Sequence, residues 1–381
     1  GDPSVFGMTV DDFHESLKRL AFTHPHGMLA TSTHDSKRSE DVRARLAVLS
    51  EIPAAWRLAL ARWRRLAEPF KRRVDGEMVP TANDEYMVYQ NLLGIWPMTP
   101  PDEAVRQDLA QRLGDSVLKA VREAKQQTSW RHPDMLYEES VLEFARRLVL
   151  DEGAAGFRQD FARLQALVAR FGAWNSLSLL LLKMGGPGVP DIYQGCEGWN
   201  LSLVDPDNRR PVDHLTLSAQ LDAVIRAWPQ GTTPEGLRDM LSTLQDDRLK
   251  LYLTWRGLSL RQQWEGVFTH GEYLPLTVDG AARRHVVAFA RRHGGQTVIV
   301  VVSRLLFTLC HGDESVLADG RVWGDTTLAL PPGAPEAWQD ALGGHVMQAA
   351  TVPDGPPHLS ISEVFHSLPL AVLVPHEAAA V

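Results

Sequence analysis

Two polar segments hold the residue types best suited to chemistry. The first is Thr33-His34-Asp35-Ser36-Lys37-Arg38, which follows the short apolar run 27–32. That run predicts a buried strand, so an imidazole and a carboxylate would stand at its C-terminal end. Groups placed there can bind sugar hydroxyls or stabilise an oxocarbenium-like transition state. The alternative is an Asp that caps the next helix. Lys37 and Arg38 are either substrate-facing cations or surface charges. The second segment, 185–213, concentrates glycines, prolines, carboxylates, aromatics and paired arginines. Gly188 and Gly195 allow backbone shapes that a Cβ resists, and Pro187 and Pro190 stiffen the approach. Tyr193, Glu197 and Trp199 offer a phenol, a carboxylate and an indole. Aromatic planes suit the apolar faces of sugars, but a Tyr and a Trp there can equally be buried packing. Asp205, Asp207, Arg209 and Arg210 form an ionic cluster, which can also be a self-satisfied turn.

The elements around these segments read as strand, polar loop, helix. Ser39 is a plausible N-cap, with Glu40 and Asp41 in the first turn, where acids favour the helix dipole. Val42, Leu46 and Leu49 continue an apolar stripe. Residues 9–24 read as an amphipathic helix. From about 54 to 183 the text is mostly helical, with apolar faces such as Trp56, Leu60, Trp63 and Ala67. Two irregular breaks are expected within it, at 83–90 and at 125–130. After about 260, short β runs at 271–276, 285–291, 297–303, 326–330 and 370–374 alternate with Gly/Pro/Asp turns, which predicts an antiparallel β domain.

Composition limits the function classes. The chain has 381 residues, 44% hydrophobic and 23% charged, enough for two or three domains with sizeable cores. A net charge of −8 gives no general affinity for nucleic acid or an anionic membrane. Cys196 and Cys310 stand far apart without metal-ligand spacing, which argues for a reducing cytoplasm and against a disulfide or zinc framework. No apolar run is long enough to span a bilayer.

Together the two segments resemble the α-amylase superfamily: a strand ending in His-Asp, then Gly188-Val189-Pro190-Asp191-Ile192-Tyr193-Gln194-Gly195-Cys196-Glu197. The stretches THDSKRSEDVRARL (33–46), NDEYMVYQNLLGIWP (83–97), REAKQQTSW (122–130) and PGVPDIYQGCEGWNLSLVDPDNRRPVD (187–213) are similar to the maltooligosyltrehalose synthase family. The resemblance runs from about residue 8 to the end. It implies an α/β plus all-β protein, the late part of an amylase-type (β/α)8 barrel with a large helical insertion and a C-terminal antiparallel β domain. The expected divisions are 1–53 (partial barrel), 54–183 (insertion), 184–258 (end of barrel) and 259–381 (β-sandwich).

The activity implied is isomerisation of the reducing-end α-1,4 linkage of a maltooligosaccharide to α,α-1,1, by retaining double displacement. Asp35 matches the family's transition-state-stabilising carboxylate. Substrate contacts are expected from His34, Lys37, Arg38, Tyr86, Lys125, Trp130, Tyr193, Glu197, Trp199, Asp207 and Arg209. No metal or organic cofactor is expected. The nucleophile and acid/base have no counterpart here, and the chain starts at Gly1 without an initiator Met. It therefore reads as the C-terminal portion of a longer enzyme, inactive alone, with the N-terminal half as its partner. Two other readings remain open: a non-catalytic α-glucan-binding module, or another hydrolase or transglycosylase of the superfamily.

Overall fold

The structure, a computed structural model, describes residues 4, 6–229, 231–317, 320–351 and 355–376. In chain order the elements begin with helix α1 (Val10–Thr23), strand β1 (Met28–Ala30), α2 (Glu40–Ala47) and α3 (Pro53–Ala67). A hairpin of β2 (Arg72–Val74) and β3 (Glu77–Val79) leads to α4 (Ala82–Ile95), α5 (Glu103–Ala124), α6 (Met135–Leu150) and α7 (Ala155–Gly185). Then come β4 (Val189–Asp191), α8 (His214–Ala227), α9 (Pro234–Ser242), α10 (Arg248–Gln263) and α11 (Glu265–His270). The remaining strands are β5 (Glu272–Pro275), β6 (Val278–Asp279), β7 (Val286–His293), β8 (Gln296–Ser303), β9 (Thr327–Ala329), β10 (Ala337–Asp340), β11 (Val346–Gln348), β12 (His358–Ser360) and β13 (Leu370–Pro375). No helix among the described residues is long and apolar enough to cross a membrane.

The chain divides into two compact units. One comprises Gly1–Thr31, Leu177–Gly198 and Asp213–Val381, the other Ser32–Ser176 and Trp199–Val212.

The second unit is helical, and an aromatic cluster forms its core. Trp63 is fully buried, with its ring 5.3 Å from Phe161, 5.5 Å from Tyr89 and 5.9 Å from Phe157. Such edge and tilted contacts add to the large apolar area that each ring removes from water. The break expected at 83–90 is instead the first half of α4. Thr81 caps it, accepting from the Asp84 amide at 3.3 Å. The polar residues that suggested a loop are paired inside the fold. The Glu85 carboxylate, 1% exposed, accepts from Lys71 at 2.8 Å and from the Tyr89 hydroxyl at 2.7 Å. The break at 125–130 does fall between helices, after α5 and before α6. Arg45, 2% exposed, donates to the carbonyls of Gly94 at 3.0 Å and Trp96 at 2.6 Å, and burial lowers its pKa to about 10.

The first unit combines a parallel strand pair with antiparallel sheets. β1 and β4 pair in parallel, Met28 opposite Val189 and Ala30 opposite Asp191. The expectation of a buried strand at 27–32 is corrected here, because Met28 is 71% and Val189 48% exposed. Apolar composition alone does not bury a strand; a covering element must do so. Gly188 has a φ of +124°, and a Cβ there would meet the Gly27 carbonyl oxygen at 2.6 Å, so glycine permits the close approach of the two strands. The six-stranded antiparallel sheet has the order β11-β10-β13-β8-β7-β5, and a three-stranded one the order β12-β9-β6. The β7–β8 hairpin, Val286 opposite Ser303 through His293 opposite Gln296, is nearly all buried.

Two arginines end α7 and aim the chain at β4. Arg261 donates to the carbonyls of Met184 at 2.7 Å and Gly188 at 2.8 Å. Arg291, 2% exposed, donates to Gly185 at 3.3 Å, Gly186 at 3.0 Å, Phe268 at 3.0 Å and Gly271 at 2.9 Å. Cations at a helix C-terminus satisfy its orphan carbonyls and oppose its dipole.

Asp340 organises the turn after β10, accepting from the amides of Leu342 at 3.1 Å and Gly343 at 3.0 Å and from Val372 at 3.3 Å. Burial pushes its pKa up from 3.8 to about 6. A carboxyl whose pKa rises on folding costs stability when it ionises. That cost is absent below the unfolded value and grows as pH rises through the folded one. We predict that, between pH 7 and pH 4.5, the wild-type chain gains thermal stability relative to Asp340→Asn. Parallel pH dependences in differential scanning fluorimetry would refute this.

Candidate functional site

His34 and Asp35 occupy the middle of a tight turn in the second unit. The Ser36 amide donates to the Thr33 carbonyl at 3.1 Å and closes it. The Thr33 amide donates to Ser36 Oγ at 2.9 Å, and the Asp35 amide to Thr33 Oγ1 at 3.2 Å. Short hydroxyl side chains thus satisfy the turn's own backbone and push the two larger groups outward. Asp35 is 80% exposed and His34 58%, with Nε2 3.3 Å from the carboxylate. The Ser39 hydroxyl accepts from the Val42 amide at 3.5 Å and caps α2, as expected from the sequence.

A second segment, 199–212, is stapled to this loop within the same unit. Arg38 and Leu203 form an antiparallel bridge. The Ser39 amide donates to the Ser202 carbonyl at 2.9 Å, and the Asn200 amide to Asp41 Oδ2 at 2.7 Å. Asp207 is buried, and its oxygens are engaged by structure. Arg112 grips it with Nε at 2.7 Å and Nη2 at 3.1 Å, and the Leu203 amide adds a bond at 2.7 Å. The geometry gives Asp207 an anchoring role. Next to it, Asn208 Nδ2 faces the carbonyls of His34 at 3.0 Å, Thr33 at 3.3 Å and Ser36 at 3.4 Å.

Charges from α5 line the same region. Lys37 pairs with Glu123 at 3.1 Å, Lys119 approaches Glu123 at 3.9 Å, and Lys119 binds Asp205 at 2.6 Å. The Lys119 hydrogen bond chiefly lowers the Asp205 pKa, assisted by the charges of Lys119, Arg209 and Lys37. Arg209 is exposed, and Arg38 donates to Asn91 Oδ1 at 3.0 Å. Lys125 ends α5 in the left-handed conformation, φ 54°, with its side chain exposed. Trp130 is 58% exposed, and its ring lies 4.8 Å from the Arg122 guanidinium. Arg122 in turn grips Glu138 at 2.8 and 2.6 Å, which fixes the cation against the indole. Tyr86 belongs partly to the aromatic core, its hydroxyl accepting from Trp56 Nε1 at 3.1 Å.

Trp199 is half-buried in the second unit, whereas Tyr193 and Glu197 belong to the first. There the Cys196 amide donates to the Tyr193 carbonyl at 2.8 Å, and Glu197 Oε2 is buried without a hydrogen-bond partner among the described residues. Sequence reasoning missed Asn208, Arg112, Lys119, Arg122 and Glu123. The spacing of 112, 119 and 123 on one helix face is the signal that held three of them. Among the described residues no group of three or more His, Cys, Asp or Glu could hold a metal ion.

No family model matches the chain. Two curated proteins of Mycobacterium tuberculosis (strains CDC 1551 and H37Rv), whose descriptions name maltooligosyl trehalose synthase, are each 33% identical over 98% of this chain. This chain is a homologue of the maltooligosyltrehalose synthases. The solved maltooligosyltrehalose synthase of Arthrobacter ramosus superposes over 98% of it, at 30% identity and a TM-score of 0.72. A structure titled as a hypothetical maltooligosyl trehalose synthase of Sulfolobus tokodaii covers the same share at 26% identity and a TM-score of 0.67. The chain spans 41% of the length of the curated relatives and 42% of each of these two structures. Its likeness to the synthases therefore covers helical unit and antiparallel sheets alike.

The Arg112–Asp207 fork is largely buried, and removing Arg112 would leave the Asp207 carboxylate to the Leu203 amide and to the half-exposed Arg210, whose Nε lies 3.4 Å away. Arg112→Met is expected to destabilise the second unit by about 1.5–3 kcal/mol in urea unfolding. A loss under about 1 kcal/mol would mean that the pair behaves as a surface one.

Proposed function

We propose that this chain forms one wall of the active site of a maltooligosyltrehalose synthase. The reaction is isomerisation of the reducing-end α-1,4 linkage of a maltooligosaccharide to α,α-1,1. The observation that carries the reading is an exposed carboxylate, Asp35, in a turn five residues beyond β1, on a chain homologous to the synthases over 98% of its length. The parallel pairing of β1 with β4 supports a place for both in an amylase-type barrel, with 54–183 as a helical insertion and 259–381 as a β-sandwich domain.

In this mechanism a nucleophilic carboxylate and an acid/base carboxyl come from the rest of the enzyme, outside residues 1–381. A retaining site places them about 5 Å apart. Asp35 holds hydroxyls of the distorted ring and favours the positive charge that develops on it. His34 stands beside it to share those hydroxyls. Lys37, with Arg209 nearby, would hold the released glucose while it turns and attacks through its anomeric hydroxyl. Trp130 would offer a sugar the indole face that Arg122 does not cover, and Lys125 would supply a further cation. Substrate contacts are likewise proposed for Trp199 and, on the resemblance alone, for Tyr193 and Glu197. Water must be excluded for the intermediate to isomerise and not hydrolyse.

Two measurements test this. In the complete enzyme, Asp35→Asn should lower kcat on maltopentaose on the order of 10²–10³-fold. A variant with unchanged turnover removes Asp35 from the mechanism. The isolated chain should bind maltopentaose yet release no trehalose-capped product; turnover by residues 1–381 alone would show that they hold every essential carboxylate. Reducing sugar as the main product of the complete enzyme would favour a hydrolase.

A further inference from the structure

We infer that Asn208 is a positioning residue that sets the aim of Asp35 by clasping the main chain of the Thr33–Ser36 turn. The inference rests on the proposed role of Asp35 at a saccharide site. Its physical part stands independently of that role.

The turn's internal bonds, Ser36 amide to Thr33 carbonyl at 3.1 Å and Thr33 amide to Ser36 Oγ at 2.9 Å, fix its shape. They do not fix its direction, because both ends belong to the turn itself. Direction requires a bond to something outside. Asn208 supplies it, with Nδ2 within 3.0–3.4 Å of the carbonyls of His34, Thr33 and Ser36. One primary amide carries two hydrogens, so three acceptors share them in a bifurcated arrangement. Asn208 itself is held firmly. It is 7% exposed and sits in the short 3-10 helix Asp207–Arg209, one residue from the Arg112 fork. Asp35 is 80% exposed and, among the described residues, its side chain pairs with His34 alone, so its aim is inherited from the backbone. A glutamine at 208 would overshoot by a methylene, and an ionised carboxylate would set oxygen against carbonyl oxygen.

That last property gives a test specific to hydrogen donation. In Asn208→Asp the introduced carboxyl can donate to the His34 carbonyl when protonated and repels all three carbonyls when ionised. The charged groups on the segments it meets are His34, Asp35 and Lys37 on the turn side and Asp207 and Arg209 on its own side. The wild-type chain carries these too and serves as the control at each pH.

Hydrogen–deuterium exchange of the turn, read by mass spectrometry on the 381-residue chain and corrected for intrinsic rates, should respond as follows. At pH 8, Asn208→Asp and Asn208→Ala exchange the Ser36 amide roughly tenfold or more faster than wild type, the loss of at least one net hydrogen bond. From pH 8 down to pH 4 the excess exchange of Asn208→Asp falls back toward wild type as its carboxyl, made harder to ionise by burial and by the three facing carbonyls, gains a proton, whereas that of Asn208→Ala does not. Wild-type exchange in both variants at pH 8 would overturn the inference, and so would an excess that stays equal in both down to pH 4. Calorimetry with maltopentaose separates the two levels. If the variants loosen the turn and weaken binding, clasp and saccharide site both stand. If the turn loosens while binding holds, the clasp stands and the saccharide role of Asp35 falls.

Discussion

The buried fork between Arg112 and Asp207 is the constraint on which the site in the second unit depends. It holds 199–212 against α5, and Asn208, the next residue, holds the His34-Asp35 turn. A chain of contacts runs from a helix, through this fork and the neighbouring Lys119–Asp205 pair, to an exposed carboxylate. A bidentate guanidinium suits the first link because it fixes angle as well as distance. A lysine at 112 would hold the charge and lose the orientation.

Buried guanidinium groups do similar work elsewhere in the molecule, but on carbonyls. Arg45 binds the end of α4, and Arg261 and Arg291 bind the end of α7. Each charge sits where a helix has run out of internal hydrogen-bond donors. The desolvation that lowers the pKa of these arginines is the cost, offset by carbonyls that would otherwise lack partners. Neutral replacements of the same size would fill the space and abandon the carbonyls.

Much of the local structure was legible in the sequence. The β run expected at 297–303 falls within Gln296–Ser303, because a long β-branched run has few alternatives, and the one expected at 370–374 falls within Leu370–Pro375. The Ser39 cap and the exposed polar turn before it were readable from residue type alone. Asn208 was not, because its partners lie more than 170 residues away and an asparagine beside Asp207 reads as turn chemistry. Helix α4 is hard to read because its polar residues pair outside it, Glu85 with Lys71 and Tyr86 with Trp56, which no window on 83–90 contains. β10, β11 and β12 went unseen, being three or four residues long without an apolar run.

The bonds from Asn208 Nδ2 to the turn go to main-chain oxygens. That grip is therefore indifferent to what positions 34 and 35 carry. Thr33 and Ser36 use their hydroxyls to satisfy the turn's amides, yet the two outward residues between them are free variables on a fixed mount. A scaffold of this kind lets reactivity be exchanged without rebuilding geometry. Ancestral change or laboratory selection could try new functional groups there one at a time, each presented from the same place and in the same direction.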